Sequence, residues 1–206
     1  MADQSTSSGG LARFTALLAS AAFLFAGNAL QNTLLGVRST LEGMDAAAFG
    51  LTMAAFFFGY VAGGVICPKL IARVGHIRTF AVLATLSSAA ALAHPLFPEV
   101  LAWALLRMIT GACIAGMLMV IESWLNGGVA NAERGRLLSI YFILNYGVQA
   151  GAQYMLLLAP PSGFELFILA SVLLSLAVAP VGLTTEAAPP STAEARAPLR
   201  RLYAVS

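Results

Sequence analysis

The chain has 206 residues, 59% of them hydrophobic and 10% charged, with a net charge of +2 and a mean hydropathy of +0.85. Soluble domains carry ~25% charged residues, and a soluble fold of this length has no way to hide so much apolar surface. A globular enzyme on one anchor is therefore excluded, leaving a polytopic all-α membrane protein with the lipid bilayer as its solvent. Cys67 and Cys113 lie in or beside apolar runs, so neither disulfide nor zinc spacing applies, and the basic residues are arginine except for Lys69.

Residues 1–13 form a small, polar stretch that reads as a disordered tail. Phe14 to Leu35 is a first span; a signal peptide is the competing reading, but the apolar run continues past the AGNA sequence that would be cleaved. Its second half carries Asn28, Gln31 and Asn32 on one face. Amides in a span are costly unless paired or wetted, so this face should point into the bundle or a cavity. Arg38, Glu42 and Asp45 mark a short loop, with Asp45 as the N-cap of the second span. That span, Ala46–Cys67, contains Gly59-x-x-x-Gly63, a close-packing signal. PKLIARVGHIR then reads as a basic loop with Lys69, Arg73, His76 and Arg78. The third span, Thr79–Ala93, is nearly featureless and is broken by His94, Pro95 and Pro98. Neither histidine has a second metal ligand near it, so both read as loop or interface residues.

The fourth span, 101–125, is the one the others must answer to, because it holds Arg107 and Glu122. A charge at membrane depth costs at least ~2.5 kcal/mol and faces protein or a wet cavity. The two lie about 22 Å apart along a helix at ~1.5 Å per residue, so they cannot pair and each needs a partner on another helix. Gly111 and Ala115 make the face below Arg107 small enough for a neighbouring backbone to come close. The competing reading is an arginine that snorkels to the nearer surface.

NGGVANAERGRL reads as a second basic loop with Arg134 and Arg136. The fifth span, Leu138–Leu158, carries an amide stripe of Asn145, Gln149 and Gln153, and Pro160-Pro161-Ser162-Gly163 ends it. The sixth span is Phe164–Leu183, which closes a bundle over 14–183. Residues 184–206 read as a polar Pro/Ala linker towards a missing second bundle. Six spans put nine of the eleven basic residues on the side of both termini: Arg13, Lys69, Arg73, Arg78, Arg134, Arg136, Arg196, Arg200 and Arg201. Arg38 stands alone opposite, which makes both termini cytoplasmic. The economical arrangement puts the first, fourth and fifth spans around an aqueous path and the smoother third and sixth outermost.

Several of these segments resemble the major facilitator superfamily of secondary transporters. PKLIARVGHIR matches its loop between the second and third spans at Arg73 and Gly75, with Arg78 one place beyond. Pro68, Ala72, His76 and Ile77 depart from that pattern. Arg107 and Gly111 match the fourth-span pattern R-x-x-x-G, and RVGHIR, IESWLN and ERGRLLSIY are similar to the YcaD-like bacterial branch. No proline-containing antiporter motif stands in the fifth span. The resemblance implies the N-terminal half of that fold, six transmembrane helices in two inverted three-helix repeats. Read from the residues themselves, Asn28, Gln31, Asn32, Arg107, Asn145 and Gln149 suit a substrate or proton pathway; the competing reading is amides that merely glue helices together. The resemblance adds for Arg107 the family's role of a buried basic residue linked to substrate or proton coupling. It also implies a gating cluster of Arg73, Gly75, Arg78 and Glu122, with Glu122 pairing with Arg73 or Arg78; Ala72 removes part of that cluster. Gly59, Gly63 and Gly111 are the helix-packing positions.

The expected function is secondary active transport of a small-molecule substrate, proton-coupled, in the bacterial inner membrane. The chain would act as half of an alternating-access transporter, its partner a second six-helix half or another copy. The alternative is a transport-inactive membrane scaffold of the same fold. An enzyme is not expected: Ser123 has no histidine near it in sequence, and no paired carboxylates or metal-ligand clusters occur. No cofactor, metal or nucleic acid is implied. The substrate, coupling ion and direction are not legible in amide stripes.

Overall fold

The computed structural model describes residues 5–127 and 131–183, with side chains over 14–127 and 134–183. The helices are α1 (Ser5–Leu41), α2 (Ala46–Val74), α3 (His76–Ala93), α4 (Val100–Gly127), α5 (Asn131–Ala152), α6 (Glu165–Leu176) and a short α7 (Val178–Gly182). A 3-10 turn over His94–Leu96 follows α3, and another over Gln153–Leu158 continues α5. With α6 and α7 taken as one span, five of the six are long and apolar enough to cross a membrane. The exception is α5, whose Asn145, Gln149 and N-terminal charges dilute its hydropathy.

Two boundaries differ from expectation. α1 is already helical at Ser5, inside the stretch expected to be a tail. The expected basic loop is instead the last turns of α2. Pro68 sits inside that helix, and Leu70, Ile71, Ala72 and Arg73 carry it on to Val74. Proline deletes one helical hydrogen bond and crowds the carbonyl four residues back, but the apolar and long-chain residues around it tolerate the defect. Gly75 alone makes the turn. Its φ of 87° is open to glycine, and its N–H reaches the Ile71 carbonyl at 2.8 Å. Likewise Arg134 and Arg136 lie on α5 rather than in a loop. The 184–206 linker lies outside the described residues. Asp45 caps α2 as expected, accepting from the Ala48 N–H at 2.7 Å.

Packing follows a two-fold rule. α4 lies against α2 and α3, α1 lies against α5 and α6, and α3 meets α6. Exchanging α1–α3 with α4–α6 maps each of these contacts onto another or onto itself. Because each repeat has three spans, an odd number, the second enters the membrane in the opposite sense, as inverted repeats require. The chain is thus an all-α membrane bundle of two interlocked three-helix repeats.

The tightest contact is α2 on α4. A Cβ on Gly59 would land on the Met108 carbonyl, one on Gly63 on the Ala112 carbonyl, and one on Gly111 on the Phe56 carbonyl. The backbones themselves are in contact there, and dispersion between them replaces the hydrophobic drive that lipid cannot supply.

The third and sixth spans, smooth in sequence, are tied to each other through hydroxyls. Ser88 on α3 bonds Ser171 on α6 at 2.7 Å and accepts from Ser175 at 2.8 Å. Three hydroxyls that share one another's bonds need an interior, so they draw α3 and α6 together. The most exposed apolar side chains of α2 are Phe57, Phe58 and Val61 and that of α5 is Ile143, while α3 and α6 also expose Val82, Leu86, Ile168 and Val172.

Gly59→Leu and Gly111→Val should each cost at least the ~1–3 kcal/mol of an overpacked core, read as a lowered unfolding midpoint in detergent. Gly50→Ala, with open space around its Cα, should stay within about 0.5 kcal/mol of the parent.

Candidate functional site around Arg107

Arg107 is 1% exposed, on the face of α4 turned to the bundle interior. Snorkelling is therefore not its solution. Its Nη2 donates to Asn32 Oδ1 on α1 at 2.7 Å, and its guanidinium carbon stands 4.2 Å from the centre of the Phe56 ring on α2. Phe56 is held there by Gly111, one turn along α4 from Arg107, whose Cα faces the Phe56 carbonyl. The close helix approach and the cation–π contact are one arrangement.

What is missing is a counter-charge. Among the described residues no carboxylate lies within ion-pair distance of Arg107, and its Nε and Nη1 have no hydrogen-bond partner. Gln31, fully buried, has neither amide atom bonded, and Asn28 Oδ1 is also unpartnered. Buried polar groups are ordinarily paired, because each one left bare costs ~1–3 kcal/mol. Several bare groups on α1 and α4 mark a place built for something other than apolar packing.

The α5 amides do not join this group. Gln149 Nε2 donates to Asn145 Oδ1 within the helix, and neither bonds Arg107 among the described residues. Gln153 does cross to α1, accepting from Thr33 Oγ1 at 2.6 Å. This tie between the expected polar spans runs through a threonine that the amide pattern gave no reason to single out.

Glu122 is exposed and meets neither Arg73 nor Arg78: among the described residues it forms no ion pair. Its carboxylate faces the Tyr141 hydroxyl on α5, with Tyr60 of α2 close by. Arg73 and Arg78 are exposed on either side of Gly75. The helix that replaces the expected loop carries Arg73 on its outer face, which removes it from Glu122. At the same end, Ser123 Oγ lies 3.3 Å from His76 Nε2, a neighbour that forty-seven residues of separation concealed. At the other end Arg38 bonds Glu42 at 2.6 Å and the carbonyls of Pro161 and Ser162, tying α1 to the α5–α6 turn.

His94 is the largest departure from the sequence expectation. It is fully buried, not a loop residue. The 3-10 turn folds it under α4, where Trp103 donates Nε1–H to its carbonyl at 3.1 Å.

No protein-family model matches the chain, and no solved structure matches it. Among curated proteins it is 28% identical over 118 residues to an uncharacterized MFS-type transporter of Enterobacter sp. (strain 638). It is 27% and 26% identical over the same length to uncharacterized MFS-type transporters named YcaD of Escherichia fergusonii and Escherichia coli O139:H28. Each match covers 57% of this chain and 31% of the relative.

Asn32→Ala should remove the one hydrogen bond that Arg107 makes among the described residues and destabilise the bundle by about 1.5–3 kcal/mol, the range for a bond to a charged group. Phe56→Leu should cost about 0.5–2 kcal/mol by loss of the ring face. Both are read from unfolding in mixed micelles. Over more than half its length the chain is similar to the MFS-type transporters of the YcaD kind.

Proposed function

We propose that the chain is the N-terminal half of a proton-coupled secondary transporter for a small solute, with Arg107 on the substrate and proton pathway. The observation that carries this reading is an arginine held away from lipid beside unpaired amides, with no carboxylate of its own among the described residues. A cation that served only stability would be a poor choice there, since burying it costs several kcal/mol that packing does not return. Intramembrane charge is otherwise found on ion and substrate paths.

Asn28, Gln31 and Asn32 line the α1 side of that path in this reading, and Asn145 and Gln149 line its α5 side further off. The exposed faces of α2 and α5 meet lipid or the second six-helix half. The half rocks against its partner around a shared mid-membrane site. The basic ends, with Arg73, Arg78 and Glu122 near Gly75, lie on the cytoplasmic side of a bacterial inner membrane together with both termini.

The test is water access. With Cys67 and Cys113 replaced by alanine, Arg107→Cys in the assembled transporter should react with membrane-impermeant thiol reagents from one side. A thiol unreachable from both sides would remove the pathway. The chain reconstituted alone should drive no solute counterflow; counterflow by a monomer would overturn the two-bundle requirement.

A further inference from the structure

Just past the end of α3 the His94 ring is held between two aromatic rings. It is 0% exposed, its centroid 5.8 Å from that of Trp103 and 6.5 Å from that of Phe167, stacked on the latter. Its Nδ1 lies 2.7 Å from the Ala90 carbonyl. A carbonyl only accepts, so Nδ1 carries the proton, and Nε2 of the neutral ring is a bare acceptor. Among the described residues that Nε2 has no hydrogen-bond partner. Two elements pack on the ring: α4 with Trp103, one turn before Arg107, and α6 with Phe167; Leu34 and Leu35 of α1 share an apolar cluster with those two side chains. Among the described residues, the charged side chain on the face of α4 that packs on His94 is Arg107, one helical turn from Trp103.

Arg107 complements this acceptor with open donors. Each of its two Nη2 protons belongs to a different edge of the guanidinium fork, one shared with Nε and the other with Nη1. Asn32 takes one of them, and Nε and Nη1 have no partner among the described residues, so one two-donor edge stays open whichever proton Asn32 uses. A two-donor edge fits the two oxygens of a carboxylate better than it fits a spherical halide.

We propose that Arg107 and His94 form one binding site for a monocarboxylate and the proton that travels with it. The carboxylate sits on the open edge of the Arg107 fork, and the proton sits on His94 Nε2. This deepens the transport reading and rests on it. The step is a proton transfer alone: an O–H bond of hydronium or of the acid breaks, an N–H bond forms at Nε2, and nothing is oxidised. The site holds one positive charge when empty (Arg107) and the same net charge when loaded (two cations and one anion), so loading adds no net charge to the low-dielectric interior. Without the anion, a protonated His94 and Arg107 repel each other. The carboxylate offsets both, so anion and proton strengthen one another by the same factor.

The experiment uses the chain in lipid nanodiscs at pH 7 in weak buffer, with acetate and lactate as probes and free protons followed by a pH dye. The expected result is uptake of about one proton per chain at saturating carboxylate, as the linkage requires, and none with chloride at the same concentration. His94→Gln should abolish proton uptake yet keep the acetate-dependent shift of the Arg107 15Nε signal. His76→Gln should change neither. Asn32→Asp is nearly isosteric and gives Arg107 an internal carboxylate, so it should keep the fold and abolish both responses. Absence of uptake with both acids, equal uptake with chloride, or uptake that survives His94→Gln overturns the proposal. Water access to a thiol at position 107 without carboxylate binding overturns this site alone and leaves the transport reading standing.

Discussion

A guanidinium taken out of water and given no anion in return is the constraint around which the bundle is arranged. Its desolvation is worth several kcal/mol, and the described neighbours offset this only in part, with one amide from α1 and one ring face from α2. Both depend on geometry rather than on charge. The ring is in place because Gly111 lets the α2 backbone reach α4. The amide is in place because α1, which rests chiefly on α5 and α6, still touches α4 at that level. A looser bundle would leave Arg107 with neither.

The repeat symmetry holds for the principal helix pairs and is unequal in its strength. The α2–α4 contact is a backbone contact through three glycines, whereas its counterpart, α5 on α1, is made by side chains and the Thr33–Gln153 hydrogen bond. Gly147 and Gly151 on α5 have the spacing of Gly59 and Gly63, yet nothing lies against them. Phe25 of α1 instead packs on Tyr141 of α5, with ring centres 5.6 Å apart, which holds the two helices at side-chain distance. One half of the bundle is locked and the other is built to a looser fit.

Much of the architecture is legible in the sequence because lipid removes alternatives. Twenty apolar residues in a row must be a helix. Arg107 can be placed inward for the same reason. The failures have a common physical source, since periodicity says which face a residue occupies and not what stands opposite. Serines 88, 171 and 175 look like scattered small residues until α3 and α6 bring their hydroxyls together. His94, beside two prolines, carries the local signature of a loop, and only the long-range Trp103 and Phe167 contacts bury it. Pro68 opens a stretch with the charge pattern of a loop, although a single lost bond in a long apolar helix is tolerable. The Glu122–Tyr141 pairing joins α4 to α5, and no spacing within either helix announces it.

The interlocking of the repeats bears on how the chain is made. α2 leaves the biosynthetic machinery with almost no contact to α1 and only a short one to α3, joined through Gly75. Its glycine face has nothing to close on until α4 arrives about fifty residues later at ~5–20 residues per second. For those seconds a helix with a bare backbone groove sits in the bilayer, open to the wrong neighbour. Neither three-helix repeat is a unit of assembly: the first to become stable must span the boundary between them.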